Sequence, residues 1–116
     1  METLAKSQQV LNYRELVKIV LKKHLENHLD IETEVQVIFD TERDHYQVVH
    51  LGWQGQKRVY GCLIHVDIKD GKIWIQRDGT EIGVANELVN AGVPKKDIVL
   101  GFQSPYKRQY TEYALS

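Results

Sequence analysis

An Asp70-Gly71 pair stands between two alternating runs, Ile64 to Lys69 on one side and Lys72 to Gln76 on the other. Asp-Gly between alternating apolar residues is the strongest short-range hairpin signal, because a type I′ loop needs positive φ at both central positions. The turn fixes a register. Lys69 faces Lys72, Ile68 faces Ile73, Asp67 faces Trp74 and Val66 faces Ile75; His65 and Ile64 then face Gln76 and Arg77. Successive side chains on a strand point to opposite faces. One face therefore gathers Ile64, Val66, Ile68, Ile73 and Ile75, and it needs a cover. The other gathers His65, Asp67, Trp74 and Gln76, with Asp78 at its margin.

The cover is predicted upstream. Over residues 10–29, Tyr13, Val17, Val20 and Leu21 recur at three- and four-residue steps, with Leu16, Leu25 and Leu29 widening the stripe. That is one amphipathic helix, with Lys22 and Lys23 turned to water. Val35, Val37 and Phe39 alternate as a first strand, Asp40-Thr41-Glu42 makes a turn, and a second strand runs over 43–53. Gln54-Gly55 turns the chain into the third strand, residues 57–69, and the fourth covers 72–78. Thr80 is a candidate N-cap for a short helix holding Val84, Ala85, Leu88 and Val89, and Gly92 followed by Pro94 reads as its end. Ile98-Val99-Leu100 is a brief strand. Ser104-Pro105 opens a last helix, with Tyr106, Tyr110 and Tyr113 spaced along one face. The expected fold is α+β: one domain, 1–116, in which a long N-terminal helix packs on an antiparallel meander of four or five strands, followed by short C-terminal helices.

If Gln54-Gly55 is a two-residue loop, Asp44 falls opposite His65 and Tyr46 opposite Leu63. Asp44, Tyr46 and His50 then join His65, Asp67, Trp74 and Gln76 on the second face. A slip of one residue would turn the second strand over. Such a face can be solvated, can meet a protein partner through its aromatics, or can hold a site. Asp44, His65, Asp67 and Asp78 are the set a metal-dependent phosphodiesterase would use.

Other candidates are less specific. His24 and His28 sit four apart on the helix, a spacing that can hold zinc, but Leu25 stands where a metalloprotease carries glutamate. Cys62, between Tyr60 and Ile64, falls on the core face and reads as a small apolar residue. Arg14, Lys18 and Lys22 form a row that could touch phosphates. Lys95, Lys96, Lys107 and Arg108 make a basic C-terminal neighbourhood. Yet the net charge is -1, without the basic excess of a dedicated duplex-DNA binder. A single cysteine excludes an intrachain disulfide and fits a reducing cytoplasm. Residues 1–9 lack the apolar core of a signal peptide, and no run is long enough to span a membrane. No metal or cofactor is expected.

Further residues carry a resemblance. They are His45-Tyr46-Gln47, His50, Gly52-Trp53, Arg58-Val59-Tyr60-Gly61-Cys62, and the stretch from His65 to Gln76. After it come Asp78-Gly79-Thr80-Glu81, Ala85-Asn86-Glu87-Leu88-Val89 and Ala91-Gly92-Val93-Pro94. Asp97 to Phe102, Ser104-Pro105, Arg108 and Tyr110-Thr111-Glu112 complete the set. Over nearly the whole chain this resembles the XisI family of fdxN-element excision controlling factors. The resemblance implies a cyanobacterial cytoplasmic protein that acts with a companion, XisH, to control excision of a DNA element. The recombination chemistry then belongs to a separate site-specific recombinase. The resemblance supplies no catalytic residues, so a non-enzymatic regulator is expected, with self-association through strand edges or the aromatic face. Direct DNA binding and a phosphodiesterase are the alternatives.

Overall fold

The computed structural model describes residues 2–116, with side chains from Gln8 onward; Met1, and the side chains up to Ser7, of the stretch read as lacking a signal-peptide core lie outside the described residues. Helix α1 spans Glu2–Glu26. Strands β1 (Thr33–Asp40), β2 (His45–Gln54), β3 (Lys57–Lys69) and β4 (Lys72–Asp78) follow as an antiparallel meander. Helix α2 (Val84–Asn90) carries the chain back so that β5 (Ile98–Leu100) pairs in parallel with β4. A short helix α3 (Pro105–Arg108) precedes the tail, whose Ala114 bridges Val99. The sheet order is β1-β2-β3-β4-β5. The architecture is the expected α+β one, with the parallel fifth strand added by the α2 crossover.

One face of the sheet is covered by α1 and α2. Tyr13, Val17, Val20 and Leu21 are buried there against Ile64, Val66, Ile68, Ile73 and Ile75, as the helix period and the hairpin register predict. Each such aliphatic side chain contributes about 1.5–3 kcal/mol on full burial. Leu25 and Leu29 do not extend the stripe. The helix stops at Glu26, and Leu29, beyond it, is 88% exposed.

Helix α2 begins one turn later than Thr80. Gly83 is its N-cap residue; Thr80 Oγ1 accepts from the Gly83 N–H at 3.1 Å, and Asp78 Oδ2 accepts from the Val84 N–H at 2.7 Å. Its end is the glycine stop read from sequence. The Gly92 N–H bonds to the Val89 carbonyl and the Val93 N–H to the Leu88 carbonyl, both at 3.0 Å, with Gly92 at φ +106°. Ser104 caps α3 through its hydroxyl. That helix is only four residues long, so the three tyrosines do not share a helical face. Tyr106 and Tyr110 meet edge to face, while Tyr113 packs on the core.

Two bulges decide where the site residues point. In β3–β4 the register runs to Val66↔Ile75 and then shifts, so His65 pairs with Arg77 instead of Gln76. In β2–β3 the loop is Gly55-Gln56, and the pairing runs from Gln54↔Lys57 to Val49↔Cys62 before skipping Leu63. Val48 then faces Ile64, Tyr46 faces Val66 and His45 faces Asp67. An unpaired residue reverses the alternation on either side of it. This one bulge therefore puts Tyr46 on the helix-covered face, where it is fully buried. Asp44 and His50 lie on that face too. Cys62, paired with Val49, moves to the outer face. Gly52, at φ +146°, lets β2 pass close to the start of β1; a Cβ there would lie 2.7 Å from the Glu32 carbonyl oxygen.

Candidate functional site

The outer face brings together His45 from β2, His65 and Asp67 from β3, and Gln76 from β4. His45 is the direct cross-strand partner of Asp67, and His65 lies two residues from it on the same face. His45 Nδ1 lies 2.7 Å, and His65 Nε2 2.9 Å, from Asp67 Oδ1. A carboxylate only accepts, so both ring nitrogens donate to it. Gln76 Nε2 donates to Asp67 Oδ2 at 3.2 Å. Burial works to raise the Asp67 carboxyl, but the hydrogen bonds from His45 and His65 outweigh it and hold the carboxyl below the usual range. The hydrogen bond to Asp67 in turn raises the His45 imidazole.

These shifts set a pH dependence. His45 gains a partner on folding, so its contribution is full below the unfolded value and is lost as pH rises through its raised folded value. Asp67 works the other way: its contribution is present above the unfolded carboxyl value and is lost as pH falls through its lowered folded value. The cluster is expected to stabilise the fold most between about pH 4 and 6.5, the two unfolded values. Urea midpoints measured across pH should fall on both sides of that window, and His45→Gln should remove the His45 share of the alkaline-side fall. A fall unchanged by His45→Gln would contradict the assignment.

Trp74 is on this face, as predicted, but it is not a free anchor. The Lys69 ammonium lies over its ring at 5.0 Å and the Arg108 guanidinium at 5.3 Å. Arg108 is itself held by the Leu100 carbonyl at 3.1 Å. On the outer face, two exposed aromatics lie at the β2–β3 hairpin end, while Phe102, Tyr106 and Tyr110 are exposed near the C-terminus. Trp53 is 53% and Tyr60 73% exposed, and Arg58 stacks between them at 5.5 and 5.8 Å from the two rings. The sequence reading passed over these three as surface candidates, although their alternation about the Gly55 turn signals one shared face.

The remaining candidates are placed elsewhere. Asp44 takes a two-pronged ion pair from Arg14, at 2.7 and 3.0 Å, and accepts the Tyr46 hydroxyl at 2.8 Å. Burial opposes ionisation of Asp44, but the bonds from Arg14 and Tyr46 prevail and lower its carboxyl. Burial and the bond to Asp44 push the Tyr46 phenol up. Asp78 caps α2. Asp44, His65, Asp67 and Asp78 therefore do not converge, and the carboxylate cluster of a magnesium phosphodiesterase is not formed from them. His50 sits edge-on to His28 at 5.5 Å, above a shallow groove lined by Val59, Tyr60, Gly61, Cys62 and Leu63.

His24 and His28 face different partners. His24 Nε2 lies 3.3 Å from Glu87 on α2, within ion-pair range though not aligned as a hydrogen bond. His28 Nε2 lies 3.1 Å from the Thr33 carbonyl and hydroxyl oxygens. They form no shared metal site. The Cys62 thiol donates to the Ile64 carbonyl at 3.2 Å, and burial pushes it up, which leaves little reactive thiolate. The basic row is broken at its first member, because Arg14 is held by Asp44. Lys18 lies 3.5 Å from Glu15, and Lys22 is exposed. Lys95 pairs with Glu112. Among the described residues, no helix is long and apolar enough to cross a membrane.

The family described as XisI protein matches residues 7–115. The fold is similar to the crystal structure of a XisI-like protein from Anabaena variabilis, with 54% identity and a TM-score of 0.86, over 91% of this chain and 98% of that one. It is also similar to fdxN element excision controlling factor XisI from Anabaena variabilis. There the identity is 37% and the TM-score 0.79, over 93% of this chain and 99% of that one. No curated protein matches significantly.

Proposed function

This chain belongs to the XisI family, and from that membership we propose that it is a cytoplasmic controlling factor for excision of a DNA element. It acts by contact with a XisH-like protein and does no chemistry itself; strand exchange falls to a separate recombinase. The observation that carries the reading is the likeness, over almost the full length of both chains, to the Anabaena excision controlling factor. The surface supports contact with protein over contact with phosphates. Trp, Tyr and Arg are the residue types that dominate interface energies, and Trp53, Tyr60 and Arg58 cluster in the open. The net charge is -1, and Arg14 of the basic row already has a carboxylate partner. The free edge of β1 offers a place for a second copy.

The test is genetic. In a host that carries the element, deletion of this gene is expected to change the yield of the excision junction, read by PCR across the closed site. Restoring the gene should restore the yield. An unchanged yield in the deletion strain would remove excision control from the account.

A further inference from the structure

We infer that His45, His65 and Asp67 form a binding site for a divalent transition ion of the zinc type on the outer face of the sheet. The inference stands apart from excision control and rests on the geometry of one cluster.

Each of the three residues offers one ligand atom, and those atoms lie within 4.8 Å of one another. His45 Nδ1 and His65 Nε2 already point at the same carboxylate oxygen, at 2.7 and 2.9 Å. In a tetrahedral site with bonds of about 2.0–2.1 Å, neighbouring ligand atoms sit about 3.3 Å apart. Each histidine–carboxylate spacing then opens by about half an ångström, and the two imidazoles, whose ligand atoms are at most 4.8 Å apart, close onto the ion. Two imidazoles with one carboxylate suit zinc, cobalt, nickel or copper, whereas magnesium and calcium prefer oxygen alone. Three protein ligands leave the fourth position to water, and the face is open enough to admit it, with the His45 side chain 54% exposed.

The supporting residues strengthen the case. His65 and Asp67 flank Val66, which is fully buried on the opposite face, so β3 holds their spacing. Gln76 donates to Asp67 Oδ2 and so leaves Oδ1 to the ion. A ligating carboxylate is ordinarily hydrogen-bonded in this way, and Gln76 is that outer support for Asp67. When the ion enters, the proton on each ring nitrogen that faces Asp67 leaves for solvent or moves to the ring's other nitrogen.

The experiment uses the full chain, free of any affinity tag and stripped with chelator, titrated with Zn²⁺ by calorimetry and with Co²⁺ by visible absorption. One ion per chain is expected, with the intense d–d bands of four-coordinate cobalt. Gln76→Ala should weaken binding by about 10–100-fold, the range for an outer-support residue. His65→Gln and the exposed His45→Gln should each weaken it by more than that, while His24→Gln leaves it unchanged. Absence of saturable binding, or binding that survives both His45→Gln and His65→Gln, would overturn the site and leave a hydrogen-bonded cluster only.

Discussion

Tyr46→Ala is expected to lower the unfolding free energy by about 3–5 kcal/mol, the usual cost of emptying a large aromatic position in a core. Tyr46 is fully buried, it meets Phe39 at 5.6 Å between ring centres, and its hydroxyl donates to Asp44. Its removal leaves a cavity beneath α1 and takes one partner from the Arg14–Asp44 pair. Tyr46→Phe keeps the ring and should cost only about 0.5–1.5 kcal/mol, the net worth of one hydrogen bond. Urea denaturation followed by circular dichroism measures both. A loss below about 1 kcal/mol for the alanine variant would mean the ring is not packed as described. The flat strand register puts Tyr46 on the binding face, where truncation would weaken a complex and spare the fold. The bulge at Leu63 reverses that expectation.

The second large effect is on binding. Trp53→Ala and Tyr60→Ala are each expected to weaken the complex with a XisH-like partner by about 2 kcal/mol, or about 30-fold in Kd. Both side chains are mostly exposed, so the unfolding free energy should stay within about 0.5 kcal/mol of the wild-type value. Arg58→Ala should weaken binding as well, because its guanidinium orders both rings. Calorimetric titration at matched concentrations gives the affinities, and urea midpoints give the control. Full affinity in the Trp53→Ala, Tyr60→Ala double variant would exclude this end of the sheet as the contact.

Much of the fold is written in local signals. The Asp70-Gly71 loop and the isoleucines around it define the central hairpin. The Tyr13, Val17, Val20, Leu21 stripe identifies the helix that covers it. Gly92 and Ser104 act as helix punctuation where their chemistry predicts. The bulge at Leu63 is not legible, and the reason is specific. Cys62, Leu63 and Ile64 are three apolar residues in a row, so the alternation loses its phase just where the extra residue enters.

That loss of phase propagates into the site. His65, Asp67, Trp74 and Gln76 lie on strands whose turn is unambiguous, and they occupy the expected face. His45 is missed because its register depends on the bulge, and Asp44 and Tyr46 take its place in the sequence reading. The parallel pairing of β5 is invisible for another reason: three residues, Ile98-Val99-Leu100, carry no directional signal of their own.

The most direct measurement is co-expression of this chain with a XisH-like partner, followed by size-exclusion chromatography with light scattering. The account predicts one mixed peak of defined mass that contains both chains and persists at moderate salt. Two separate peaks, each with the mass of its own chain or homo-oligomer, would contradict an action through protein contact.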